Sequence, residues 1–318
     1  MEKALKIISV LVIFVVLINI LLVIRFYSGK KAVAVHNNTL TSSHLDLPEV
    51  SSLEIMPVVD NHIANEKLIP EDAVSYYIKT DNDRILFDVG WNKKAAKTSP
   101  MLSNLGTLGL SFTDFTALVI SHNHPDHVGG MSFRDKEITA GVKDLTLPIY
   151  TPMAMTCGGK KTTAVTTPSL LGQEIGSTGP LTEQMYIPGR VYEQALMVNV
   201  KGKGLVLISG CGHPQINTMV REAAAITNLP VYAVVGGTHL FYTSVESAFW
   251  RQVMGSTKVF SRGTTKAEVE KTVNTLKDQR VQKVYISGHD ADQASLDIFR
   301  SAFGSGYAVV TVGQPIKF

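Results

Sequence analysis

Between Ser121 and Gly130 the chain places three histidines and one carboxylate within six residues, His122-Asn123-His124-Pro125-Asp126-His127. An apolar, β-branched run from Phe115 to Ile120 leads into them and reads as a buried strand. Four metal-ligand side chains therefore stand at the carboxyl end of a strand, where open sheets build their sites. Alternate residues of an extended segment point the same way, so His122 and His124 converge on one ion. Asp126 and His127 follow the turn at Pro125 and face a second. Without a cation, imidazoles and carboxylate at this density repel one another or demand other partners. Gly129 and Gly130 let backbone pack close behind the ligands.

The same punctuation, a strand followed by glycine and histidine, recurs downstream. Leu205 to Ser209 ends in Gly210-Cys211-Gly212-His213, and Val281 to Ser287 ends in Gly288-His289-Asp290. His213 and His289 are expected as further metal ligands. Cys211 is expected to ligate or to support a ligand, and Asp290 to stand behind one. Val231 to Val235 ends in Gly236-Gly237-Thr238-His239. Five histidines and Asp126 already fill two sites, so His239 is assigned an acid–base or substrate-binding role. Asp88 closes the strand Ile85-Leu86-Phe87 and suits a carboxylate that fixes a ligand histidine's tautomer. Asn61 and His62 are candidates for the rim, whereas His36, His44, Lys160 and Lys161 read as solvated.

The His-x-His-x-Asp-His loop after a hydrophobic strand resembles the metallo-β-lactamase superfamily of binuclear metal hydrolases. Val59-Asp60-Asn61, Ile85 to Gly90, Ser209 to His213, Gly236 to Leu240 and Gly288-His289 follow the order of one branch. That branch includes proteins similar to the dihydropterin-ribofuranosylaminobenzene-phosphate synthase, and the likeness covers about residues 50–318. It implies an α/β fold, the four-layer αββα sandwich. It also implies metal-dependent hydrolysis of a small ester, phosphoester or lactone by a metal-bound hydroxide, with Asp126 and His239 as catalytic residues. Zn²⁺, as one or two ions, is the expected cofactor; iron or manganese fits the same donors. The alternatives are a synthase acting on a pterin-like substrate and a non-catalytic metal-binding membrane protein. The chain departs from the family in having no histidine between His127 and Cys211, no evident bridging Asp, and Asp290 where the branch has Cys after His.

The other constraint is the N-terminus. Ile7 to Ile24 is apolar except for Ser9 and Asn19, with Lys3 and Lys6 before it and Arg25, Lys30 and Lys31 after it. Eighteen residues suffice to cross a hydrocarbon core of roughly 30 Å as a helix. Residues 1–27 are expected to form a single-pass anchor in the lipid bilayer, residues 28–49 a polar linker, and 50–318 one domain, on the extracytoplasmic side. Residues 1–31 hold five of the 30 basic residues and one of the 27 acids, leaving 25 against 26 for the rest. The basic balance thus belongs to the membrane flanks and gives no footing for nucleic-acid binding. The expected partner besides the membrane is a small-molecule substrate. Two cysteines exclude a disulfide framework.

Within the soluble part, strands are predicted over Leu53 to Asp60, 76–78, 84–88, Pro148 to Tyr150, Val191 to Val200 and 303–318. Helices are predicted over Ser99 to Leu110, Ile216 to Ile226 and Lys266 to Lys277, with loops from Gly158 to Pro180. Strands and helices recur after the metal loop, which fits two sheets packed face to face with helices outside.

Overall fold

A computed structural model describes residues 2–243 and 252–318. Two sheets pack face to face. One runs in the order Thr163–Ala164, Ile149–Thr151, Ala117–Val119, Arg84–Phe87, Ser75–Lys79, Glu54–Val59 and Ile316–Lys317. The other runs Ser169–Leu170, Gly176–Ser177, Leu196–Val200, Gly204–Ser209, Val231–Gly236, Lys283–Ile286 and Tyr307–Val309, with Glu49–Val50 also pairing Leu196–Val200.

Strict alternation on strands buried at both faces builds this arrangement. Ile85, Phe87, Ala117 and Val119 point into the space between the sheets and meet Val198, Val206, Ile208, Ala233 and Val235 of the other sheet. Leu86 and Leu118 point the opposite way, onto Met101 and Leu105 of the helix Pro100–Thr107. On the far side Met197, Leu207, Val234 and Val284 are covered by Met219, Val273 and Phe299. These three come from the helices Ile216–Thr227, Lys266–Asp278 and Gln293–Phe303. The layers are therefore helix, sheet, sheet, helix.

Arg84–Phe87 runs parallel to Ala117–Val119, and Gly204–Ser209, Val231–Gly236 and Lys283–Ile286 are parallel to one another. Their carboxyl ends all open on one rim. Asp60, fully buried, ties the sheets together beneath that rim: it accepts hydrogen bonds from Ser287 Oγ at 2.7 Å and Tyr76 OH at 3.1 Å.

The span from Gly158 to Pro180, expected to be loops, carries the short strands Lys160–Lys161, Thr163–Ala164, Ser169–Leu170 and Gly176–Ser177, and three further expectations are corrected. The segment from Ser28, expected to be a polar linker, continues the N-terminal helix without a break, from Glu2 to Thr41. Phe26, Gly29, Val33, Asn37 and Leu40 are buried at spacings of three and four, one stripe of a helix. The stripe lies against the strand Leu181–Gln184, where Asn37 Nδ2 donates to Thr182 O at 3.0 Å and Thr182 N donates to Asn37 Oδ1 at 2.9 Å. Glycine and asparagine at stripe positions hid the pattern. Second, Val191 to Val200 is two strands. Arg190–Glu193 pairs with Leu181–Gln184 in a separate ribbon, and Leu196–Val200 joins the large sheet. The break falls at Gln194, which donates from its backbone N to Ser121 O and from Nε2 to Ile120 O. Third, His36 is held by Pro180 O at 2.9 Å and is not free in solvent.

Candidate metal centre

Every strand-end residue singled out above reaches the shared rim. His122 Nε2 stands 3.0 Å from His124 Nδ1, and His213 Nε2 stands 3.2 Å from the same atom. Beside this trio, His289 Nε2 lies 3.0 Å from Asp126 Oδ2, and His127 Nε2 lies 3.0 Å from Cys211 Sγ. The donor atoms of Asp126, His127, Cys211 and His289 all lie within 4.8 Å of one another, as do those of His122, Cys211 and His213. Cys211 belongs to both groups, so its sulfur stands between the two halves of the centre.

The donors suit a cation. Tetrahedral nitrogens at zinc distances sit about 3.3 Å apart, close to the spacing of the trio. Burial holds His122 and His213 well below the ordinary imidazole pKa, and lowers His124 to about 4. All three are neutral at physiological pH, with lone pairs converging on one point. His213 Nδ1 and His239 Nε2 are buried without a hydrogen-bond partner among the described residues.

Carboxylates orient the rings. Asp88 Oδ2 accepts from His127 Nδ1 at 2.7 Å, leaving Nε2 to face the centre. Burial opposes a charge on His127, but Asp88 and Asp126 outweigh it and raise its pKa. Burial likewise opposes ionisation of Asp126, yet the imidazoles of His127 and His289 hold its pKa below the usual carboxylate range. Ser121 donates to Asp88 from both backbone N, at 2.7 Å, and Oγ, at 2.6 Å. Asp88 has φ +62° and His239 φ +51°, a region costly for residues with a side chain and commonest at functional sites. Gly129 has φ +86°, and a Cβ there would collide with Thr139 O, so the loop closes only with glycine.

Two supports escaped the sequence. Asp72 Oδ1 pairs with His289 Nδ1 at 3.0 Å, as Asp88 does with His127. Nothing in the spacing of Pro70-Glu71-Asp72 marks it. Glu193 accepts from the backbone N of Gly212 and of His213, both at 2.8 Å. Burial pushes its carboxyl up to about 7. A single acid inside the apolar run from Val191 to Val200 was the available signal. Asn61, expected at the rim, clamps the last loop by donating to Gly288 O at 3.0 Å, and the His62 ring packs against Gly288.

His122, His127, Cys211, His213 and His289 are buried, while His124 and Asp126 are partly open. The His239 ring centre lies 4.5 Å from that of His213, with Nδ1 3.5 Å from Asp290 Oδ1. His213 and His239 line a cavity of about 230 Å³ together with Lys258, Arg262, Lys271 and Glu268, the last paired with Lys258. A smaller space, about 90 Å³, runs from Asn123 and His124 to the turn Pro188-Gly189-Arg190.

Comparison with known proteins agrees with this architecture. Residues 68–133 match the model of the metallo-β-lactamase superfamily. The 7,8-dihydropterin-6-methyl-4-(β-D-ribofuranosyl)-aminobenzene-5'-phosphate synthase of Methanocaldococcus jannaschii is 23% identical, over 86% of this chain and 99% of that protein. Among solved structures, Tm1679, described as a metal-dependent hydrolase of the β-lactamase superfamily, superposes with a TM-score of 0.57. It is 20% identical, over 83% of this chain and 98% of its own. The metallo-β-lactamase fold protein YhfI from Bacillus subtilis gives 0.54 at 14% identity, over 84% of this chain and 100% of its own. The fold is that of the metallo-β-lactamase superfamily.

Proposed function

We propose that this chain, which has the metallo-β-lactamase fold, is a membrane-anchored, metal-dependent hydrolase of a small ester, phosphoester or lactone. One observation carries the reading: six side chains from three separate strand ends, His122, His124, Asp126, His127, His213 and His289, turn their donor atoms inward within hydrogen-bonding reach of a neighbour. Cys211 stands between them. Zn²⁺ held by these donors would supply Lewis acidity and acidify water toward neutrality.

The protein's own contribution is orientation and proton handling. Asp88 and Asp72, each at Nδ1, turn the Nε2 of His127 and of His289 toward Cys211 and Asp126 at the centre. Glu193 fixes the backbone of the His213 loop. His239, beside Asp290 and at the wall of the larger cavity, is placed to hand a proton to a leaving group or to grip the substrate. Arg262 and Lys271, with Lys258 paired to Glu268, leave the lining of that cavity with an excess of positive charge that favours an anionic substrate.

Ile7 to Ile24 lie in one helix long and apolar enough to cross a membrane. They are exposed almost throughout, so the folded domain does not supply their cover. We read this segment as a single-pass anchor, with the domain on the extracytoplasmic side.

A second reading, a synthase joining a pterin-like substrate to an aryl amine, is favoured by the likeness to the Methanocaldococcus protein over 86% of this chain and 99% of that one. Purified protein assayed on a panel of aryl esters, phosphodiesters and lactones, and separately on a pterin diphosphate with an aminobenzene phosphate, divides the two. Metal-dependent turnover in the first assay supports hydrolysis. Turnover only in the second supports the synthase, and metal retention with turnover in neither leaves a binding protein.

A further inference from the structure

We infer that two apolar protrusions of the domain, the turn at Ile187 and the loop at Phe260, rest in the membrane surface and hold the opening beside His124 at headgroup level. The inference rests on the anchor reading above. Among the described residues of the domain beyond the N-terminal helix, Phe260 is the most exposed aromatic ring, at 63%. It borders a groove whose other walls are Val15, Val16, Asn19, Ile20, Val23 and Ile24. Phe260 is thus level with the apolar run itself. Wherever that run sits in hydrocarbon, the tip of this loop sits at the same depth.

The backbone is held in that shape at a cost. Phe260 has φ +61° and Ser261 φ +50°. A left-handed conformation is unfavourable for a bulky residue. The edge-to-face contact of Phe260 with Tyr186 still leaves the ring 63% exposed, and transfer of that surface into lipid would offset the cost, by up to about 1.5–3 kcal/mol.

The second protrusion is locked to the first and to the helix. Arg25, the first residue after the apolar run, donates from Nη2 to Tyr186 O at 2.8 Å and to Ile187 O at 2.6 Å. Its charge is therefore met by protein at the boundary where arginine belongs. Tyr186 N donates to Ser256 O at 2.8 Å, joining the turn to the Phe260 loop. The rings of Phe26, Tyr186 and Phe260 follow one another edge to face, at 5.8 and 5.9 Å. Ile187 and Met254 add exposed apolar surface, and Tyr27 is exposed at the end of the run, as interfacial aromatics are.

The consequence concerns access. The space that ends at Asn123 and His124 begins at Pro188, Gly189 and Arg190, the residues next to Ile187. A reactant entering there comes from the headgroup layer, which selects amphiphilic molecules over freely soluble ones. The fixed helix also sets the opposite pole. From Phe26 to Thr41 it rises about 22 Å, and His44 just beyond it lies 3.3 Å from Asn228 Nδ2.

The test is depth-dependent quenching of the full chain reconstituted in phosphatidylcholine vesicles with brominated acyl chains. Single cysteines carrying a fluorophore are placed by Ile187→Cys, Phe260→Cys, Asn228→Cys and Val15→Cys. Unsubstituted protein, whose Cys157 and Cys211 are buried, serves as the labelling background. Labels at 187 and 260 are expected to lose most of their emission, as the label at 15 does, while the label at 228 keeps it. Strong quenching at 15 with none at 187 or 260 would overturn the lipid-contacting rim and leave the anchor standing. Absence of quenching at 15 would overturn the anchor, and the rim with it.

Discussion

A histidine is oriented for metal binding when its far nitrogen is held and its near one is turned toward other donors. Asp88 holds His127 in this way and Asp72 holds His289, each at 3.0 Å or less. Asp88→Asn keeps the shape but removes the charge. It is expected to weaken metal binding 10–100-fold with little loss of fold, read by competition with a chromophoric chelator. His239→Gln is expected to leave metal content unchanged and to lower kcat about 10²–10⁴-fold; unchanged kcat would remove His239 from the proton-transfer role. Acidity gives a third test. His122, His124 and His213 have folded pKa values below the ordinary 6.5, so the unfolded chain binds more protons below that pH. Metal-stripped protein should therefore lose stability as pH falls below 6.5, with the uptake of a proton by buried Glu193, whose pKa is raised to about 7, offsetting part of the loss. Urea midpoints at several pH values would show it, and a midpoint flat over this range would contradict buried, neutral imidazoles.

Elements differ in how openly the sequence declares them. Gly204–Ser209, Val231–Gly236 and Lys283–Ile286 are largely apolar runs with a glycine at or within two residues of their ends, and their strand character and the position of the histidines after them can be read directly. What could not be read is the partner across space. Asp72 and Glu193 act through loops brought together only by the fold, and Asp72 has no periodic signal at all. Cys211 was placed near a ligand by its neighbour His213, but its position between both donor groups follows from the packing of two sheets. The docked part of the N-terminal helix was hidden for another reason: Asn37 fills a buried stripe position because Thr182 answers it with hydrogen bonds. Asn37→Ala leaves Thr182 N and O short of partners and should cost about 1–3 kcal/mol. Hydrogen exchange at 181–193 should speed up; unchanged exchange would mean the helix contributes nothing to holding that ribbon.

At the scale of the whole molecule, the N-terminal helix and the candidate centre are joined by a short mechanical path. The helix packs on Leu181–Gln184, that strand pairs with Arg190–Glu193, and Glu193 holds the His213 loop. Removing residues 1–24 should give a soluble domain that binds metal as tightly as the full chain does. Removing residues 1–44 also strips Phe26, Val33, Asn37 and Leu40 from the ribbon, and should lower both stability and metal affinity. Equal metal content and equal urea midpoints in the two truncations would sever that path.

The central claim is that one rim of the sandwich is a metal centre built from residues far apart in sequence. Elemental analysis of the purified protein, alongside His122→Ala, His213→Ala and His289→Ala, tests it most directly. One to two equivalents of a zinc-like metal in the parent, falling in every variant, is the predicted result. A parent without metal after loading, or His213→Ala and His289→Ala variants that retain the full complement, would contradict it.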